Sequence, residues 1–485
     1  MLVGVNTMKV TKAVSIVLAS LWLIASAPGP APTGPSLAAQ NDAAALAALI
    51  RAPSFQDADR LAARLLAAPA LDARTMAMCG LAVLKAGRIE EAEAIFKRAI
   101  ERSPDTPDAR LGLGRLARIR NDEDGAVAHF RRAVPSAALF EEACRQLWRA
   151  AWACGRVADL TEIRALVEER YRLASLPPPS WLVNNLGQLA GLEGKRLFDM
   201  EGSFERLRVP LVTASPHPGI RMIALKLNGK ADRLFHLDSA LAEFMTISPL
   251  LAEDLGLSPT GSASSAGVGT ASVATRFAVL DKVELGPVAF RNVPVMVSDV
   301  RTLRGLREGL VGTAFLKRFN VAMDVEAGVM DLYPLDRPDR LASGIDRAAV
   351  AADVPLYCFE ATTVEAAVEG APPALYILDS AASTNLLDRP FFGEHIKPKL
   401  DPARIVRAGI RGAGGEQTVD QVEGLSAKLG PHLFRDLQFN EFPMETLNAI
   451  GGRYCAGLLG NPLLWPYRVH MDFKNGRLIL ERYSR

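Results

Sequence analysis

The strongest constraint in this 485-residue sequence is that its second half is written twice. Val209-Pro210-Leu211 returns as Val354-Pro355-Leu356, displaced by 145 residues. Leu237-Asp238-Ser239-Ala240 returns as Leu378-Asp379-Ser380-Ala381 after 141. Gly309-Leu310-Val311-Gly312 returns as Gly457-Leu458-Leu459-Gly460 after 148, and Met323-Asp324 with Gly328 returns as Met471-Asp472 with Gly476 at that same displacement. Four landmarks in one order at nearly one spacing define two homologous lobes, residues 204–335 and 353–485, joined by 336–352. Both are rich in Val, Leu, Gly, Pro and Phe, in short alternating runs broken by Gly, Asn and Asp, as expected of short strands with tight turns.

The first half repeats differently. From about Asn41 to Met200 the chain is rich in Ala, Leu, Arg and Glu, with apolar residues at helical spacing. A slide of 34 residues lays Gly80, Ala92, Phe96 and Ala99 on Gly114, Ala126, Phe130 and Ala133. The hinge position Gly87 falls on Asn121 and then Gly155, and Pro104 closes the first unit. These residues resemble the tetratricopeptide repeat, a pair of antiparallel helices per unit. Small Gly and Ala let helices approach, and Phe fills the space between units. Weaker units flank the clear pair, near Ala58 and Ala62 and over Glu141–Leu173, because stacked units need neighbours to bury their faces. The predicted fold class is therefore multidomain α plus all-β, a helical solenoid over residues 41–200 followed by a bilobal β domain. The repeat resemblance implies a surface for a peptide or partner protein; the alternative is a spacer with no ligand of its own.

Each β lobe carries one chemical set. An apolar strand, Leu234–Leu237 or Leu375–Leu378, ends in Asp-Ser. A Gly-rich segment follows, and then an apolar pair before Gly312 or Gly460. In order and twice over, this set resembles the pepsin-like and retropepsin-like aspartic proteases, in particular the bacterial retropepsin-like group, across nearly all of both lobes. The resemblance implies an endopeptidase whose catalytic pair is Asp238 and Asp379, one from each lobe. Two neighbouring carboxylates share a proton, so one can take a proton from water while the other polarises the scissile carbonyl. Ser239 and Ser380 would bond across the floor of the cleft. Gly312 and Gly460 would let the following chain pass behind the Asp loops. The flap candidates are Gly261–Gly269, with Gly267 and Gly269, and Gly409–Gly415, with Gly412 and Gly414. Where the family pattern has Gly after Asp-Ser, this chain has Ala240 and Ala381, and neither flap candidate holds a Tyr. The rival reading is a non-catalytic peptide-binding or scaffold protein on the same fold. Asp324 and Asp472 read as turn formers, and His236 as a strand residue facing away from the cleft.

Lys9 and Lys12 precede a largely apolar run, Ala13–Ala25, and Ala25-Ser26-Ala27 follows, which reads as an export signal. Residues 1–40 are thus a signal and a Pro/Gly/Ala linker, and the mature chain is expected in a periplasm or secreted. Pro28 disfavours cleavage beside it; cleavage after Ala38 or Ala39 and an uncut membrane anchor are the two outcomes. Lys+Arg of 56 against Asp+Glu of 54 gives no basis for nucleic-acid binding. Six His and five Cys, without C-x-x-C or H-E-x-x-H, argue against a metal site, and the dyad chemistry needs no cofactor. Cys79, Cys144, Cys154, Cys358 and Cys455 read as small buried residues rather than a disulfide scaffold. The expected partner is a peptide or protein substrate, with a further protein partner at the repeats.

Overall fold

The computed structural model describes residues 37–52, 55–68, 71–189, 192–213, 219–265, 273–299, 308–412 and 415–484. Helices α1 (Leu37–Arg51), α2 (Phe55–Leu66), α3 (Ala73–Lys85), α4 (Ile89–Arg102), α5 (Pro107–Ile119), α6 (Glu123–Ala133), α7 (Phe140–Ala153), α8 (Val157–Leu173) and α9 (Ser180–Leu189) follow one another. Sequence pattern explains their packing. A methyl at Gly80 would stand 2.6 Å from the Phe96 ring, and one at Gly114 2.4 Å from the Phe130 ring. A methyl at Gly112 of α5 would stand 2.2 Å from the same Phe96 ring. Both rings are fully buried, each worth about 1.5–3 kcal/mol of transfer free energy. Gly87, Asn121 and Gly155 take φ of 91°, 59° and 71°, the left-handed turn that reverses the chain between the two helices of a unit. α3 packs on α5 and α5 on α7, so the odd-numbered helices share one face.

The β half forms three sheets. One, built from residues 199–311, contains the Asp238 strand; another, built from 357–459, contains the Asp379 strand. The third is six-stranded and takes strands from both lobes, in the order Val350–Pro355, Arg477–Arg482, Tyr467–Asp472, Phe319–Asp324, Val329–Pro334, Leu207–Pro210. Its centre pairs Val321 with Met471 and Met323 with Val469, antiparallel. The repeated Met-Asp and Val-Pro-Leu landmarks are thus the symmetric halves of one shared sheet. Asp324 and Asp472 cap turns there, accepting from the Ala327 and Asn475 N–H groups at 2.8 and 2.9 Å.

The helical half is fastened at its three equivalent turns, two of them to the β lobes and the third to the segment that leads into the first strand, Asp199–Glu201. Beside Gly87, the Lys85 carbonyl accepts from the Tyr454 N–H at 2.7 Å. Asn121 donates its side-chain amide to the Lys317 carbonyl at 3.0 Å. The Gly155 carbonyl accepts from the Leu197 N–H at 3.0 Å. A buried ion network adds to these: Glu123 meets Lys317 at 2.7 Å and Arg118 at 3.0 Å, and Glu360 meets Arg118 at 3.3 Å and Arg149 at 3.1 Å. Burial alone would raise the Glu360 carboxyl, but Arg149, Arg118 and Lys317 outweigh it and hold it below its ordinary value. The five cysteines are all free, and four of them are buried. Among the described residues no helix is long and apolar enough to cross a membrane; Ala13–Ala25 lies outside them.

Candidate functional site

The two Asp-Ser loops are made by the same local construction. Strand Asp232–Leu237 runs parallel to Gly309–Val311, pairing Leu237 with Val311, and the Asp238 N–H donates to the Val311 carbonyl at 2.9 Å. Strand Ala374–Leu378 runs parallel to Gly457–Leu459, pairing Leu378 with Leu459, and the Asp379 N–H donates to the Leu459 carbonyl at 2.9 Å. The apolar-apolar-Gly motif therefore supplies the rail on which each aspartate sits. Behind each loop the glycine is sterically required. A Cβ on Gly312 would lie 2.3 Å from the Glu243 carbonyl oxygen, and one on Gly460 2.4 Å from that of Thr384.

The loops are joined by a reciprocal latch. Ser239 N–H donates to Ser380 Oγ at 3.1 Å, and Ser380 N–H to Ser239 Oγ at 3.0 Å. Ser239 Oγ donates onward to the Leu378 carbonyl at 2.7 Å, and Ser380 Oγ to the Leu237 carbonyl at 2.9 Å. Each serine thus serves the opposite lobe, and both are buried. Thr362 and Thr313, which sequence reasoning missed, add hydroxyl donors to the Ser239 carbonyl at 2.9 and 2.8 Å. Thr313 directly follows Gly312, as Asn461 follows Gly460, so a polar residue after each motif was the available signal. No such signal marks Thr362.

Within each loop the carboxylate turns onto the backbone. Asp238 Oδ1 accepts from the N–H groups of Ala240 and Leu241 at 2.9 and 3.0 Å. Asp379 Oδ1 accepts from those of Ala381 and Ala382 at 2.8 and 3.0 Å. Neither Ala240 nor Ala381 takes a positive φ, so alanine holds this turn without backbone strain and still presents its N–H. Burial raises the Asp238 carboxyl above its ordinary value, against the pull of those two N–H groups. Asp379 is raised by burial and then by the charge of Asp238. A pair under that mutual influence holds one proton between them into a pH range where isolated carboxyls are ionised.

The remaining candidates are placed as follows. His236 is buried in the sheet. Gly412 ends strand Ile405–Gly412 and pairs with Gly415 across a hairpin, the position of the second flap candidate. Gly267, Gly269 and Gly414 lie outside the described residues. The hairpin carrying the first flap candidate, strands Thr260–Ser265 and Val273–Leu285, packs against α9. Among the described residues no group of His, Cys, Asp and Glu could hold a metal ion. Beside the Asp238 loop, a cavity of about 600 Å³ lies between that loop, α7, α9 and the second lobe.

Against known proteins, residues 78–139 match the tetratricopeptide repeat family and residues 223–315 match the aspartyl protease family. No curated protein matches the chain. Among solved structures it is similar to basic 7S globulin from soybean, at 10% identity and a TM-score of 0.35, over 58% of this chain and 96% of that one. The protease match spans the Asp238 loop and Gly312; the second lobe repeats the same loop construction outside the matched span. The chain joins a tetratricopeptide-repeat segment to an aspartyl-protease-like β domain.

Proposed function

We propose that the protein is a retropepsin-like aspartic endopeptidase, working on a peptide or protein substrate in a periplasmic or secreted setting. Asp238 and Asp379 share one proton. The ionised carboxylate removes a proton from a water molecule as that water attacks the scissile carbonyl carbon. The protonated carboxyl donates to the carbonyl oxygen, giving a neutral tetrahedral gem-diol. Collapse breaks the C–N bond, and the amine leaves with a proton returned by the pair. The buried floor keeps the loops fixed through this cycle, and no cofactor takes part. The setting rests on the export-like residues 1–40 alone, and an uncut signal would tether the enzyme to the membrane.

The observation that carries this reading is the reciprocal Ser239–Ser380 latch, which ties two aspartates with raised carboxyl values to one floor. The test is cleavage of a diverse peptide pool between about pH 3 and pH 7, the range where a shared-proton carboxyl pair operates. Wild-type protein, Asp238→Asn and Asp379→Asn are compared. Cleavage lost in both variants supports the reading. Folded wild-type protein that cuts nothing at any pH leaves the peptide-binding alternative.

A further inference from the structure

The cavity beside the Asp238 loop is walled by both halves of the chain. Ala240, whose N–H holds Asp238 Oδ1, forms one side, and Ile377, two residues before Asp379, another. The helical half contributes Trp148, Trp152 and Trp181, with the Trp148 and Trp181 rings 6.1 Å apart, edge to face. The wall is thus aromatic, and it is also cationic. Most of its positive side chains are already matched: Arg118 and Arg149 hold Glu360, Lys317 holds Glu123, and Arg145 holds Glu142.

Arg453 and Arg318 differ. Arg453 is only 4% exposed, yet no carboxylate is bonded to it. Its Nη2 donates to Thr363 Oγ1 at 3.2 Å, its guanidinium lies 5.4 Å from the Phe359 ring centre, and its Nε and Nη1 have no partner. Arg318 stacks 4.5 Å from the Phe198 ring centre, donates to the Ala153 carbonyl at 3.3 Å and leaves its Nε unpaired. Trp181 Nε1 is a fourth buried donor without an acceptor. A buried guanidinium left short of acceptors is costly, and a planar carboxylate in the cavity that both arginines line would supply acceptors once a guanidinium turns toward it. A volume of this size falls in the range of sites that enclose a small ligand or a short piece of chain.

We propose that this cavity is a subsite for a peptide carboxylate, flanked by an apolar residue, lying next to the bond held at the aspartates. It rests on the protease reading for that adjacency, but binding can be read without turnover. The carboxylate comes either from the free C-terminus or from an acidic side chain close to it. Three of the five tryptophans line the cavity, so intrinsic fluorescence reports occupancy directly.

The experiment titrates full-length Asp379→Asn protein with one apolar hexapeptide in four forms: C-terminal acid, C-terminal amide, amide with Glu at the penultimate position, and amide with Gln there. The expected result is that the acid binds about tenfold tighter than the amide, the scale of a charge-assisted hydrogen-bond pair. A gain for Glu over Gln of the same size assigns the side chain as a second source; no gain restricts the subsite to chain ends. Arg453→Gln removes the preference, and Arg453→Lys restores part of it. Equal affinity for acid and amide together with equal affinity for the Glu and Gln forms, in the protein with Arg453 intact, overturns the proposal without any variant at that position. So does a preference that survives Arg453→Gln and Arg318→Gln together. Wild-type protein that shows the preference but cuts no peptide would overturn the protease reading alone.

Discussion

The loop of Asp238 and the loop of Asp379 set their aspartates and serines with the same hydrogen bonds, and they stand in unlike company. Both hang from a parallel rail, both fold a carboxylate onto two alanine or leucine N–H groups, and both offer a serine to the other. Yet the residues after Asp238, from Ala240 to Phe244, wall the cavity shared with the helices, while none of Ala381 to Asn385 does. The floor keeps the symmetry of the duplication; the walls lose it because the helical half meets the two lobes through different residues, Lys317 in the first and Tyr357, Glu360 and Tyr454 in the second. Catalytic equivalence and substrate asymmetry can then arise in one molecule from the same repeated motif.

The comparison breaks most sharply at the aspartates. Asp238→Asn and Asp379→Asn should each lower kcat by about 10³-fold or more, the upper range for losing a general acid or base. A tenfold or larger difference between the two would mean that the loops are not chemically equivalent. The glycines come next. Gly312→Ala and Gly460→Ala each drive a methyl against a backbone carbonyl, so each should cost about 2–3 kcal/mol in urea unfolding. One tolerated methyl would show that its rail can move. Ser239→Ala and Ser380→Ala each leave a buried N–H without its acceptor, a loss of about 1–3 kcal/mol. The double variant should lose less than the sum, since the latch is one network.

The pH dependence of stability gives a smaller effect with a definite sign. The folded protein holds the Asp379 proton more tightly than the unfolded chain does. That contribution is complete below the unfolded carboxyl value of about 3.9 and is lost as pH rises through the raised folded value. A side-chain amide at this position has no such proton to lose. Asp379→Asn should therefore melt above wild type near about pH 7.5, with the gap closing toward about pH 4. A gap that widens on acidification would contradict the raised carboxyl value. The smallest change is expected from Ala240→Gly and Ala381→Gly. Because neither alanine is strained, glycine should lower stability by less than about 1 kcal/mol through backbone entropy and leave cleavage rates unchanged.

Much of the floor was legible in the sequence because its contacts are local or repeated. Asp-Ser and apolar-apolar-Gly recur in order, so the rails and loops can be read without knowing the fold. The hinge triplet Gly87, Asn121, Gly155 was legible for the same reason. Its second role was not: nothing in a 34-residue period says that Lys85, Asn121 and Gly155 will bond to Tyr454, Lys317 and Leu197. Those pairings depend on surfaces assembled from distant segments, as do Arg453 and the tryptophan wall. The alanine after each Asp-Ser looked like a defect because its φ cannot be known before the loop is built.

The three-turn fastening also has a consequence for how the chain matures. During synthesis the helices emerge first, while Tyr357 and Tyr454, which bond to Glu90 and to the Lys85 carbonyl, come far later. At roughly 5–20 residues per second, the interval between them is on the order of tens of seconds. Throughout that wait the solenoid has no β half to lean on, and Phe359 and Leu375 have yet to join the apolar cluster it contributes to. The nascent solenoid is therefore an unfinished clamp whose jaws are in place long before the object they grip. A chaperone has that interval in which to act.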